Sequence, residues 1–218
     1  MSFSCVIFDC DGVLIDSEVL SAETEAMALR RHGIDISTER AMGLFLGLTH
    51  DDMERLVLRE FGFKFPPDHI EKTMEILREV YKERLQAIPG VRAVIEKLTV
   101  PICVASNSPP SKLGLGLSLT GLFELLYPHI YCSALVPRGK PAPDLFLYAA
   151  RALKADPKTT AVVEDSVAGV TAAKAAGMTA IGFIGGLHHG PPSADRLRAV
   201  GADHVVETME EVGALLGV

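Results

Sequence analysis

Two aspartates, Asp9 and Asp11, stand one residue apart at the end of the apolar run Cys5-Val6-Ile7-Phe8, and Gly12 follows them. A carboxylate leaving water at a strand end must be paired, hydrogen-bonded or metal-bound to offset its desolvation. Two of them together ask for a cation. Alternate side chains of an extended chain share a face, so Asp9 and Asp11 can converge while Cys10 points away. Gly12 then permits a tight turn beside whatever the carboxylates hold. The competing account is an Asp-rich turn after a strand, because Asp side chains bond their own backbone in Asx-turns. This fragment alone leaves both accounts open.

Three further clusters follow apolar runs. Ser106-Asn107-Ser108 places hydroxyl and amide donors after residues 102–105, where they could hold an anion without adding charge, or equally cap a helix or make a turn. Lys140 lies between Gly139 and Pro141, so the backbone on both sides of it is shaped. A fixed ammonium suits phosphate as a point charge, whereas a lysine in a proline-rich loop is ordinarily just solvated. Glu164-Asp165 ends the run Val162-Val163, and Ser166 can cap the helix expected after it. Capping explains the serine and leaves the two carboxylates unexplained. With Asp9 and Asp11 they make a hard, oxygen-rich site that suits Mg2+ rather than zinc.

Positioning these residues requires a particular architecture. Apolar, β-branched segments recur at 5–8, 102–105, 129–132, 161–163, 179–183 and 204–206. They alternate with helical periodicity at 91–98, 144–153, 167–176 and 194–200. Alternation of this kind predicts an α/β fold with a doubly wound parallel sheet. Residues 17–86 break the rhythm, with helical patterns at 18–32, 38–45, 51–61 and 68–85 and no strand. The expected organisation is therefore an α/β catalytic core from 1–16 and 87–218, with a second, smaller all-α domain at 17–86. Thr49 and Asp52 resemble a capping box at the start of the third of these helices. The insertion leaves the core directly after the Asp9/Asp11 strand and would be hinged over its carboxyl end, the edge where open α/β sheets bind ligands. The stretch 185–192, Gly-Gly-Leu-His-His-Gly-Pro-Pro, reads as a solvent-exposed loop. His188 and His189, adjacent and lacking a third spaced partner, make a weak metal pattern.

Composition removes several alternatives. A chain of 218 residues with 48% hydrophobic residues can bury a full core and still carry an insertion. A net charge of -7 with scattered basic residues provides no footprint for nucleic acid or an anionic membrane surface. No stretch reaches the ~18 apolar residues of a membrane helix, and the start has no basic region followed by a cleavage site. The expectation is a cytoplasmic protein, a monomer by default, whose partner is a small molecule. Cys5, Cys10, Cys103 and Cys132 show no CxxC pairing and read as structural thiols. Cys10, flanked by aspartates, should be a poor thiolate.

Taken in order, the four clusters resemble the haloacid dehalogenase-like superfamily of phosphotransferases. Asp9 to Gly12 matches the first motif (DxDG), Ser106 the second, Lys140 the third and Glu164-Asp165 the fourth. The helical insertion resembles the small α-helical cap of the branch containing β-phosphoglucomutase, phosphoglycolate phosphatase and sugar-phosphate phosphatases. The resemblance implies a Rossmann-like core and a phosphatase acting on a small phosphorylated metabolite, such as a sugar phosphate or a phosphorylated hydroxy acid. It makes Asp9 the nucleophile that forms an aspartyl-phosphate and Asp11 the general acid and base. Ser106 and Lys140, with Asn107, would bind phosphate. Mg2+ would be held by Asp9, the Asp11 carbonyl, Asp165 and Glu164. The segment Gly47 to Asp52 resembles the mutase's substrate-binding stretch but has His50 where that enzyme has arginine. The second motif is of the phosphatase form, so a mutase is the alternative. Asp11 argues against a dehalogenase, and both first-motif aspartates argue against a non-catalytic binding protein of this fold. His50, Lys72 and Arg78 are candidates for contacts to the leaving group.

Overall fold

Val6, Ile7 and Phe8 are wholly buried, as are Val162 and Val163, because these strands lie inside a parallel sheet covered on both faces. The computed structural model describes residues 3–46, 48 and 50–218, except for the side chain of His50. Within it the chain divides into two compact units, Met1–Asp16 with Gln86–Val218, and Ser17–Leu85.

In chain order the first unit contains β1 (Cys5–Phe8) and, after the helices of the second unit, α5 (Val91–Lys97), β2 (Ile102–Ser106), α6 (Pro110–Leu119), α7 (Phe123–Leu126), β3 (Ile130–Cys132), α8 (Asp144–Ala152), β4 (Thr160–Glu164), α9 (Val167–Ala175), β5 (Thr179–Phe183), α10 (Ser193–Ala199), β6 (His204–Val206) and α11 (Met209–Leu216). The helices of the second unit are α1 (Glu18–Arg30), α2 (Thr38–Phe45), α3 (His50–Phe61) and α4 (His69–Arg84).

All five strand pairings are parallel, in the order β3-β2-β1-β4-β5-β6. The sheet is the doubly wound one expected from the alternation. Its winding reverses between β1 and β4, and at such a switch point the connections leave in opposite directions and open a crevice at the carboxyl ends. Phe8 pairs with Val163 there, and the Asp9 amide continues the ladder to the Val163 carbonyl at 2.9 Å. The aspartate pair and Glu164-Asp165 therefore emerge side by side. One face of the sheet is packed by Leu145, Phe146, Ala149, Val170 and Ala173 from α8 and α9 against Ile7, Cys103 and Val162.

One helix runs against its sequence pattern. In α6 the leucines at 113, 115, 117 and 119 alternate as in a strand, yet Leu113 and Leu117, four apart, are the buried ones and Leu119 is exposed. Pro110 in the first turn, where its missing N–H is no loss, favours helix over the period-two pattern.

In the second unit Ala22, Ala26 and Leu29 of α1 meet Ala41 and Phe45 of α2 and Met53 and Val57 of α3, with Ile36 and Phe65 between elements. Ser37 caps α2 by accepting from the Arg40 amide. The capping box expected at Thr49 and Asp52 falls outside the described residues, as do Gly47 and the His50 side chain. Lys72 pairs with Asp68 at 2.6 Å and lines a cavity of about 270 Å3 with Arg31, His32 and His69, while Arg78 is exposed. Among the described residues no helix is long and apolar enough to cross a membrane.

Candidate active site

The turn after β1 is closed by its own backbone: the Leu14 and Ile15 amides donate to the Cys10 carbonyl, and the Gly12 amide donates to the Ile15 carbonyl at 2.8 Å. Gly12 has φ +75°, and a Cβ there would overlap the Asp165 carboxylate and press on the His188 ring. This glycine is what lets the β1 turn and the end of β4 approach.

Lys140 is the centre of the charged cluster. Its Nζ donates to Asp9 Oδ1 at 2.7 Å and to Glu164 Oε1 at 2.6 Å, with the lysine side chain 3% and the glutamate 0% exposed. The loop that delivers it is fixed by Asn107, whose side-chain amide donates to the Lys140 carbonyl and accepts from the Lys140 amide. Gly139 leaves room for that amide, since a Cβ would come within 2.7 Å of Asn107 Oδ1. Both ends of the Asn107 side chain are thus engaged in holding Lys140. Glu164 is similarly committed, since its second oxygen accepts from the Ser166 amide and hydroxyl, both at 2.9 Å. Ser166 in turn accepts from the Gly169 amide and caps α9, as its position predicts.

Asp11 is held by Ser108, which the sequence offered only as one donor of a possible anion-holding or turn cluster, and by Lys112, to which it gave no role. Ser108 Oγ donates to Asp11 Oδ2 at 2.6 Å, and Lys112 Nζ reaches Asp11 Oδ1 at 2.9 Å. Ser106 accepts from the Ser108 amide and orders that turn. One signal for Lys112 was available: a cation in the first turn of a helix opposes the helix dipole, and in α6 it is stabilised by an anion instead.

The exposed loop expected at 185–192 proves to be folded back at its two histidines. Their side chains are 1% and 8% exposed, and Asp165 Oδ2 lies 2.9 Å from His188 Nε2 and 3.8 Å from His189 Nε2. The cause is steric and remote: Gly12 and Gly186 leave a slot for the His188 ring, and the Leu187 amide is tied to Asp16 Oδ1 at 3.2 Å.

The charges do not balance. Asp9, Asp11, Glu164 and Asp165 face two ammonium groups, Lys140 and Lys112, and His188 adds a positive charge beside Asp165 only when protonated. Burial alone would depress the Lys140 ammonium, but Asp9 and Glu164 outweigh it and raise its pKa, so it stays charged. Asp9 is pushed well above the usual carboxylate range by burial, opposed by Lys140 and reinforced by Glu164, Asp165 and Asp11. One ammonium cannot satisfy that many carboxylates. Oxygens of Asp9, Glu164 and Asp165 lie within 4.8 Å of one another, a hard donor set into which a divalent cation fits by both charge and chemistry. Cys10 is raised by burial and then by Asp11 and Asp9, which disfavours its thiolate.

A family model described as haloacid dehalogenase-like hydrolase matches residues 3–177. The chain belongs to this family. The hydrolase is 30% identical over 189 residues to 6-phosphogluconate phosphatase of Escherichia coli K12, covering 85% of each chain. It is 32% identical over 180 residues to hexitol phosphatase B of the same organism, covering 80% of this chain and 81% of that one. Among solved structures, a haloacid dehalogenase-like protein of unknown function from Agrobacterium tumefaciens C58 superposes with a TM-score of 0.83 at 37% identity, over 99% of this chain and 98% of that one. The hydrolase is accordingly a phosphoric monoester hydrolase, of the branch to which its motifs pointed.

Proposed function

We propose that this hydrolase is an Mg2+-dependent phosphatase of small phosphorylated sugars or sugar acids, working through an aspartyl-phosphate at Asp9. The observation that carries the reading is Lys140 bonded at once to Asp9 and Glu164 at the sheet's switch point, which aims the Asp9 carboxylate and supplies fixed positive charge beside it. The names of the two E. coli relatives support the substrate class.

In the first step an Asp9 oxygen attacks phosphorus, the phosphorus–oxygen bond to the leaving alcohol breaks, and Asp11 gives that oxygen its proton. In the second, Asp11 takes a proton from water, whose oxygen displaces Asp9 and releases inorganic phosphate. Lys140 and Ser106 hold the transferring oxygens. Ser108 and Lys112 keep the Asp11 carboxyl aimed between the two steps. Mg2+, when bound, offsets the charge of the phosphoryl group and the carboxylates. Asp9 and Asp165 are its carboxylate ligands in this reading, with the Asp11 carbonyl, and Glu164 serves chiefly through Lys140. Ser17–Leu85 is the specificity domain, with His50, Lys72 and Arg78 as its candidate contacts.

The test is phosphate release from a panel including 6-phosphogluconate and hexitol phosphates, with chelator and after Mg2+ is restored. Mg2+-dependent release is expected, together with acid-stable label on Asp9 from a radiolabelled phosphomonoester. Asp9→Asn should lower kcat by at least about 10^4-fold. An Asp9→Asn enzyme that keeps wild-type turnover would refute the nucleophile, and phosphosugar isomerisation without net phosphate release would replace phosphatase by mutase.

A further inference from the structure

The oxygen-rich group accounts for Asp165 on one side only. On its other side the carboxylate meets two imidazoles, neither of which the proposed mechanism uses, although both are buried and His188 Nε2 is 2.9 Å away. His189 is the informative one. Its side chain is more than nine-tenths buried, its Nε2 has no hydrogen-bond partner among the described residues, and that nitrogen faces Asp165 Oδ2 at 3.8 Å. A buried ring nitrogen without a partner is costly unless it has a use. The two rings lie 3.8 Å apart between centroids and are inclined at 42°, so they are not stacked face to face.

We propose that Asp165, His188 and His189 form a second metal site, for a borderline transition-metal dication of the Zn2+, Co2+ or Fe2+ class, which shares Asp165 with the oxygen-rich group. Two ligand atoms, each about 2.1 Å from one ion, stand about 3.0 to 3.5 Å apart at angles from ninety degrees to tetrahedral. The observed 2.9 and 3.8 Å separations bracket that span, and one ligand atom from each residue lies within 4.8 Å of the others. Two imidazole nitrogens and one carboxylate oxygen are a donor set for such ions, and a poor one for Mg2+. A histidine ligates as the neutral imidazole, so binding at this site would release any proton the rings carry. Sharing Asp165 makes the two ions thermodynamically linked: whatever factor one changes in the other's affinity is returned in full.

The site is specific to this loop. Gly12 and Gly186 make the slot for the His188 ring, since a Cβ at either would come within 2.9 Å of it. The adjacency that makes His188-His189 a weak pattern in sequence is compensated by the backbone, which turns at His189 with its amide bonded to the Gly186 carbonyl at 3.1 Å.

The experiment uses the full chain, stripped of metal and then given one equivalent of Co2+ in a large excess of Mg2+. The expected result is one Co2+ retained per chain, with two paramagnetically shifted, solvent-exchangeable imidazole N–H signals in the proton NMR spectrum. His189→Gln should remove one signal and weaken Co2+ about 10- to 100-fold or more while leaving Mg2+ affinity within about 2-fold. His188→Asn should remove the other. Displacement of Co2+ by Mg2+, or Co2+ retained without shifted imidazole signals, would overturn the proposal. So would equal weakening of Co2+ and Mg2+ by the histidine variants, which would make the rings mere supports for Asp165. The wild-type signals carry the test if a variant does not fold. The inference shares Asp165 with the Mg2+ reading but fails separately: the nitrogen signals do not depend on turnover, and loss of Mg2+-dependent turnover leaves them in place.

Discussion

Lys140→Met tests the charged cluster as a structural unit, independently of catalysis. Methionine keeps the unbranched stem, which packs with the ammonium 5.2 Å from the centroid of the Phe146 ring, and removes only the charge. Glu164 is then a fully buried carboxylate whose Oε1 has lost its ammonium, while Oε2 keeps the Ser166 amide and hydroxyl. Removing one partner of a buried ion pair costs about 3–5 kcal/mol. The two remaining bonds from Ser166 and the partial exposure of Asp9 place this case at the lower end, near about 3 kcal/mol. For a unit of this size each kcal/mol moves the thermal midpoint by about 2–4 °C, so a fall of about 6–12 °C is expected in chelator, read by far-UV circular dichroism. Adding Glu164→Gln removes the stranded charge while keeping an acceptor for Ser166. The double variant should therefore recover most of the loss, to within about 1 kcal/mol of wild type. A double variant as unstable as Lys140→Met would show that the buried charge on Glu164 is not what costs, and the electrostatic account of the cluster would have to be abandoned.

Gly12→Ala introduces a β-carbon at φ +75° into the Asp165 carboxylate, so it should lower the thermal midpoint by several degrees, the strain alone being about 1 kcal/mol, and abolish stabilisation by added Mg2+. Wild-type kcat in that variant would be incompatible with the close approach described. Lys112→Met removes one of the groups that aim Asp11, and steady-state kinetics should show kcat down about 10-fold with KM little changed, since the aim of the proton donor matters in the transition state and not in binding. The pKa of His189 is depressed on folding, so the unfolded chain binds a proton that the folded chain refuses. Its contribution to stability is present above about pH 6.5 and is lost as pH falls toward about 3. In chelator the thermal midpoint should therefore drop more steeply below pH 6.5 in the wild type than in His189→Gln, and parallel profiles would contradict the burial of this ring among Asp165, His188 and Arg196.

The residues legible in the sequence were those whose charge contradicts their surroundings. A strand inside a parallel sheet is buried on both faces, so Asp9 after Phe8 and Glu164-Asp165 after Val163 could not be solvated by accident. Lys140 was legible through its glycine and proline neighbours. Hidden were the residues whose local setting is ordinary. Ser108 looks like a turn residue and Lys112 like a surface lysine until α6 brings both to Asp11. Asn107 reads as a phosphate contact through its backbone or amide, and what the sequence could not show is that its side chain also holds the Lys140 backbone at both ends. The buried histidines were missed for the same reason, because the slot that receives His188 is made by Gly12, far away in the chain. Periodicity reports which face of an element is apolar and carries no information on which distant backbone has left a space.

The crowding of four carboxylates around two ammonium groups also bears on the order of events under the proposed mechanism. A phosphate monoester dianion approaching Asp9, Asp11, Glu164 and Asp165 meets net repulsion, since Lys140 is already divided between two carboxylates and Lys112 is taken by Asp11. Neither ammonium can turn to the substrate without stranding a buried carboxylate, at a cost of several kcal/mol. Asp9 and Asp165, as proposed ligands of a divalent cation, would lessen both obstacles, since its charge would offset the carboxylates and relieve Lys140 of part of its duty to Asp9. The proposed mechanism therefore expects metal to bind before substrate. Such a cation would also draw Asp9 back toward the ordinary carboxylate range, leaving its oxygen available for the attack proposed for it.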